Sequence, residues 1–193
     1  METSRERNFK IARLHGKIDP RPDSEAKIRN DIYMVGMLEL MLAKDKSIKI
    51  RLFAYETPIK SNAKRTECID LLGYDQNHKP YIVELKKPNS NEKLDKVFDQ
   101  LHRYSEQFAL IKEYIQAEVQ EQYYWKDFKF SGDVGKIILS GRNYYKSHKK
   151  LPKFNDIKVY ICSFSGIKED FGDLKLLKKF GSKGVIRLKV ENK

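Results

Sequence analysis

Residues 66–88, TECIDLLGYDQNHKPYIVELKKP, place a strand, a polar turn and a second strand in direct succession. Glu67 to Tyr74 and Tyr81 to Lys86 are rich in aliphatic and aromatic residues, and DQNHKP between them carries turn formers. A connection this short pairs the two strands most simply as antiparallel neighbours. Side chains two apart on a strand share a face. Glu84 and Lys86 therefore project together, while Val83 and Leu85 point to the opposite side. Asp70 shares a face with Cys68 and Leu72, and Glu67 lies on the other. Pairing through the turn lays Asp70, near the start of one strand, beside Glu84 and Lys86, near the end of the next.

Working outward, Ser24 follows Pro22 and Asp23 and suits a helix cap. A helix is predicted from Glu25 to about Ala43, with Ile28, Ile32, Val35, Leu38 and Leu42 on one buried stripe. Ile48 to Ile59 alternates as a first strand and completes a three-stranded meander. Ser90 ends the hairpin segment and caps a long helix from about Asn91 to Tyr124. Strands follow at Gly135–Ser140 and Ile157–Phe164, then a short helix over 168–180 and a last strand at Val185–Val190. The order predicts a mixed α/β fold, an αβββαβ core whose central sheet is flanked by helices. Residues 1–23 read as a basic N-terminal arm and 24–193 as a single domain.

Composition narrows the function classes. Of 193 residues 40% are hydrophobic, enough for a packed core, and the formal net charge is +12. That surplus points to polyanions, meaning nucleic acid or an anionic membrane surface. No stretch approaches the roughly 18 apolar residues of a membrane span. The first residues, METSRERNFKIARLHGK, lack the continuous apolar core of a signal peptide. Cys68 and Cys162 lie far apart in apolar runs and read as reduced, buried thiols. The expectation is a cytoplasmic enzyme or binding protein without a membrane partner.

Two carboxylates crowded together raise each other's pKa unless a cation joins them. A hard divalent ion such as Mg²⁺, or Mn²⁺ in its place, prefers oxygen ligands. Asp70 and Glu84 are the candidate ligands, with the Leu85 backbone carbonyl as a third. Such an ion orients and acidifies water and offsets charge on a phosphate. Lys86 is placed to position or deprotonate that water, or to stabilise the phosphoryl oxygens. Carboxylate ligation without His or Cys argues against zinc.

The segment resembles the PD-(D/E)xK nuclease superfamily, which carries an aspartate on one strand and (D/E)-x-K on the next. Ile69-Asp70 stands for the Pro-Asp pair and Glu84-Leu85-Lys86 for the second half. Gln100 and Tyr104, four apart on one helical face, are similar to the Q-x-x-x-Y element of the RecB-like branch. In that branch the pair supports the site and contacts nucleic acid. GKIILSGR followed by DIKVYICSF is similar to the sheet-completing half of NucS-like and restriction-type domains. The resemblance implies a restriction-endonuclease-like core and a metal-dependent nuclease in restriction, repair or defence, with DNA favoured over RNA as the substrate and the choice between them left open.

Members usually add one acid from the first helix. Glu25 and Glu39 are the candidates, fourteen residues or roughly 20 Å apart along a helix. The helix runs into the start of the first strand, so its N-terminal end lies nearer Asp70 and favours Glu25 over Glu39. Glu56, at the end of that strand, is a third candidate. Lys87, His102 and Arg103 flank the motifs as candidate phosphate contacts. The stretch GRNYYKSHKK adds Arg142, Lys146, Lys149 and Lys150, with Tyr144 and Tyr145 for base stacking. Arg5, Arg7, Lys10 and Arg13 of the arm could track a backbone. The alternatives are a non-catalytic nucleic-acid-binding module or a subunit of a larger nuclease complex. Endonuclease or exonuclease action, the recognition site and a homodimeric state stay open.

Overall fold

A computed structural model of the chain describes residues 24–43, 45–61, 66–146, 159–164 and 185–191. The N-terminal arm, Lys149, Lys150 and the predicted helix at 168–180 lie outside the described residues. Helix α1 spans Glu25–Val35, with the Ser24 hydroxyl accepting the Lys27 amide at 3.1 Å as its cap. It ends well short of the predicted Ala43. Gly36 adopts φ +80°, a left-handed conformation that glycine takes at little cost, and its amide reaches back to the Ile32 carbonyl. The chain then turns into strand β1, Met37–Ala43. Leu38 and Leu40 alternate into the core there, so a period of two replaces the helical stripe expected of Leu38 and Leu42.

Strands β2 (Lys46–Ser61), β3 (Thr66–Asp75) and β4 (Pro80–Lys86) form the predicted antiparallel meander. Helix α2, Leu94–Gln122, follows as a long crossover. It carries the chain to β5 (Gly135–Ser140), which lies parallel to β4. A short helix α3, Arg142–Lys146, leaves β5, and β6 (Val159–Phe164) lies parallel to it. Strand β7, Ile186–Val190, runs antiparallel to β6 and parallel to β1.

That last pairing corrects the predicted fold class. The seven strands of the described residues close into a mixed barrel in the order β1 to β7, rather than an open restriction-endonuclease-like αβββαβ sheet flanked by helices. Closure follows from the segment read as helix. Once Met37–Ala43 is a strand, it offers β7 an edge, and four residue pairs from Leu38↔Ile186 to Met41↔Lys189 join the ends. A closed sheet leaves no unpaired edge. One apolar cluster draws on all seven strands and fills the barrel, with Ile28 and Ile32 of α1 packed against it. The other sandwiches α2 against the outer face of the meander and β5, through Val97, Leu101, Phe108 and Ile115. Cys162 is buried and Cys68 half-buried, both as thiols. Among the described residues no helix is long and apolar enough to cross a membrane.

Candidate metal and catalytic site

The β3–β4 ladder runs from Tyr74↔Pro80 to Leu71↔Val83, and the site begins where it stops. Asp70 is the next residue of β3, and its Oδ2 accepts the Leu85 amide at 2.8 Å. The carboxylate thus takes a strand donor and is anchored by backbone. Glu84 and Lys86 point away from Val83 and Leu85, towards α2, as the alternation required. Gln100, one turn and a half into α2, donates from Nε2 to Glu84 Oε1 at 2.8 Å and to the Tyr104 hydroxyl at 2.7 Å. Tyr104 is itself buried, so it acts on Glu84 through Gln100. Glu25 arrives from the first turn of α1, and its Oε2 accepts the Lys87 amide at 3.0 Å. Four chain segments therefore bring Glu25, Asp70, Glu84, Lys86 and Gln100 together.

Lys86 sits between two acids. Its Nζ lies 2.8 Å from Glu84 Oε1 and 2.9 Å from Glu92 Oε2. Glu84 is only 2% exposed, and its second oxygen, Oε2, is buried without a hydrogen-bond partner among the described residues. An ionised carboxylate with one oxygen unclaimed is costly in a dry site. Burial pushes the Glu84 pKa well above the ordinary carboxylate range, and the Asp70 charge raises it further against the pull of Lys86. Glu25 is raised for the same two reasons, burial first and Asp70 second. Burial alone would lower the Lys86 pKa, but the Glu84 charge and the bonds to Glu84 and Glu92 raise it instead. The two partners pull in opposite senses, since Lys86 gains most when Glu84 is ionised. Glu84 thus seeks a cation or a proton, since burial opposes its charge and Oε2 lies unclaimed among the described residues. Burial and the Glu84 charge raise Tyr104 to about 12, so its phenol stays protonated.

Two residues at the site carried no mark in the motif. Arg29 is 8% exposed and spans two acids, with Nη1 at 2.8 Å from Asp70 Oδ1 and Nη2 bonded to Glu56 Oε1. Its placement on the Ile28–Ile32 side of α1, one helical turn after Glu25, was the available signal. Glu92 follows the Pro88-Asn-Ser-Asn stretch and shares Lys86. Of the remaining acid candidates, Glu56 is joined to the site through Arg29. Glu39 stands on β1 with Ser47 and Arg187 and belongs to the barrel wall.

Lys87, His102, Arg103 and Lys146 are exposed. Arg142 opens α3. Tyr144 is buried with its hydroxyl on the Glu92 carbonyl, and Tyr145 reaches the Cys162 carbonyl at 2.9 Å. Both rings are used inside the protein rather than held out for stacking.

Among the described residues, no three His, Cys, Asp or Glu side chains form a ready metal cage. The geometry gives the reason. Arg29 and Leu85 engage both Asp70 oxygens, and Lys86 and Gln100 share one oxygen of Glu84. The donors nonetheless suit a hard divalent cation: they are oxygens, Glu84 Oε2 is unclaimed, and burial penalises its bare charge. No protein-family model, no curated protein and no solved structure matches this chain.

Proposed function

We propose that this protein is a metal-dependent nuclease that hydrolyses phosphodiester bonds, most simply as a DNA endonuclease of the cytoplasm. The observation that carries the reading is the buried Glu84 with an unclaimed oxygen, set beside Asp70 and a clamped lysine. Asp70 and Glu84 would hold the divalent cation, Mg²⁺ or Mn²⁺, with Glu25 and the Leu85 carbonyl at its border. Such a cation, when bound, supplies Lewis-acid activation of water and offsets charge on the phosphate.

The chain's own groups divide the remaining work. The Leu85 amide fixes Asp70, and Gln100, backed by Tyr104, fixes Glu84. Outer partners of this kind orient ligands and are commonly worth about 10–100-fold. Lys86 is held as an ammonium by Glu84 and Glu92, so its role is a cation facing the phosphoryl oxygens rather than a base. Lys87 and Arg103 lie exposed near the motif and are suited to phosphate contact.

The engagement of both Asp70 oxygens favours one other reading, a nucleic-acid-binding module without turnover. Plasmid digestion with Mg²⁺, Mn²⁺ or EDTA separates the two. Nicking or linearisation that needs metal and is lost in Asp70→Asn and Lys86→Met supports the nuclease. Salt-sensitive binding without metal-dependent cleavage rejects it.

A further inference from the structure

Taking Asp70 and Glu84 as a divalent-cation site, as above, we propose that Arg29 is that site's resident counter-cation and, once released, its phosphate contact. The β2–β3 register pairs Tyr55 with Leu71 and Thr57 with Ile69, which sets Glu56 across from Asp70. Like charges facing each other across strands repel. Arg29 resolves this by reaching in from α1 and giving one Nη to each acid. Glu56 holds φ +46°, uncommon for a residue with a side chain, so its aim at Arg29 is kept against a local preference.

The two ends of this fork are not equivalent. Asp70 lies in the site, and its Oδ1 is open to another cation only after Nη1 has left. Glu56 is a third exposed and stands outside, able to keep Nη2 while Nη1 swings away. Arg29 Nε is buried without a hydrogen-bond partner among the described residues. Release from Asp70 therefore leaves two guanidinium donors without partners while the side chain stays tethered. A non-bridging phosphate oxygen is the acceptor whose charge and size match them. Cation binding at Asp70 and phosphate binding at Arg29 thus become linked: the first frees the group that makes the second.

This linkage gives two acidic-site variants opposite signs. Arg29→Met removes the competitor, so Mn²⁺ binds more tightly although substrate is cut more slowly. Glu56→Gln removes the charge that competes with Asp70 for Arg29, so Arg29 holds Asp70 more tightly and Mn²⁺ binding weakens. If Arg29 holds Asp70 about nine-tenths of the time, the apparent Mn²⁺ affinity is reduced about tenfold, which is the gain expected of Arg29→Met. Loss of a preorganised donor to the phosphate slows single-turnover cleavage by about a hundredfold or more.

The experiment is a Mn²⁺ titration followed by the electron paramagnetic resonance signal of the free ion. It uses the full chain as wild type, Arg29→Met, Glu56→Gln and Asp70→Asn, with circular dichroism to establish folding. Tighter binding by Arg29→Met and several-fold weaker binding by Glu56→Gln, with none by Asp70→Asn, is the expected pattern. Should Arg29→Met not fold, Glu56→Gln carries the test, since equal or tighter binding by it overturns the proposal. Unchanged or weaker binding by a folded Arg29→Met overturns it too, while wild-type binding that Asp70→Asn abolishes leaves the metal-site reading standing. If Asp70→Asn titrates like wild type, that reading itself fails and the role of Arg29 with it.

Discussion

Asp70→Asn removes a charge from the site without removing volume. The asparagine oxygen can still accept the Leu85 amide, so the anchor seen at 2.8 Å survives. What is lost is the bond to Arg29, in which the two side chains are 10% and 12% exposed. Breaking a buried ion pair from one side costs about 3–5 kcal/mol when the remaining charge is stranded. Arg29 is not stranded, because Glu56 keeps it, which brings the loss to about 2 kcal/mol by the same scale. Relief of the Asp70 charge on Glu84 and Glu25 offsets part of that. A domain of this size loses about 2–4 °C of melting temperature per kcal/mol, so a loss of about 2 kcal/mol lowers the melting of the metal-free variant by about 4–8 °C, less the part that this relief returns. Ligand linkage then separates the two proteins more sharply. Mn²⁺ at a hundred times its dissociation constant stabilises a binding protein by about 2.7 kcal/mol, or roughly 5–10 °C. Calorimetric melting of both proteins, with and without Mn²⁺, measures this. The wild type should gain that shift and Asp70→Asn none. An equal Mn²⁺ shift in both would refute the assignment of Asp70 to the cation.

Protons and cations compete for Glu84. Mn²⁺ affinity should fall as pH drops through the raised Glu84 pKa, above the ordinary glutamate range, and Glu84→Gln should lose affinity at all pH values. Stability of the metal-free protein runs the other way. A carboxyl whose folded pKa is raised favours the fold when protonated, so this contribution is present at low pH and is lost as pH rises through the folded pKa. Melting against pH should show that limb in the wild type and not in Glu84→Gln. Gln100→Leu leaves Glu84 Oε1 to Lys86 alone and should lower metal-dependent cleavage about 10–100-fold with the fold intact. Parity with wild type in a cleavage assay would deny Gln100 its positioning role. Gly73→Ala would put a Cβ 2.5 Å from Ile50 Cγ2 and 2.8 Å from the Arg51 carbonyl oxygen, a backbone atom that cannot swing aside. Overpacking of this kind costs about 1–3 kcal/mol, and a melting temperature within a degree of wild type would contradict the close approach of β2 and β3.

The hairpin was legible because its determinants are local. A period of two and a short polar turn require only neighbouring residues, and they paired β3 with β4 as expected. The same alternation aimed Glu84 and Lys86 at one face, where α2 meets them. The first helix was misjudged past Gly36 because Leu38 and Leu42 satisfy a helical spacing as well as a strand's. Short apolar runs carry that ambiguity, and the left-handed Gly36 resolves it. Tyr144 and Tyr145 read as surface aromatics within a basic run, but packing against the core claimed both.

From sequence alone, the chain determined its hairpin, its long crossover helix and the grouping of Asp70, Glu84 and Lys86. Each depends on contacts within a strand, a turn or one helical face. Tertiary structure decided the closure of β1 on β7, which joins residues from opposite ends of the described chain. It also decided that Arg29, 41 residues from Asp70, would bond the acid expected from sequence to hold a cation. Neither outcome has a local signature, because both arise only when separate segments compete for the same buried hydrogen-bonding groups.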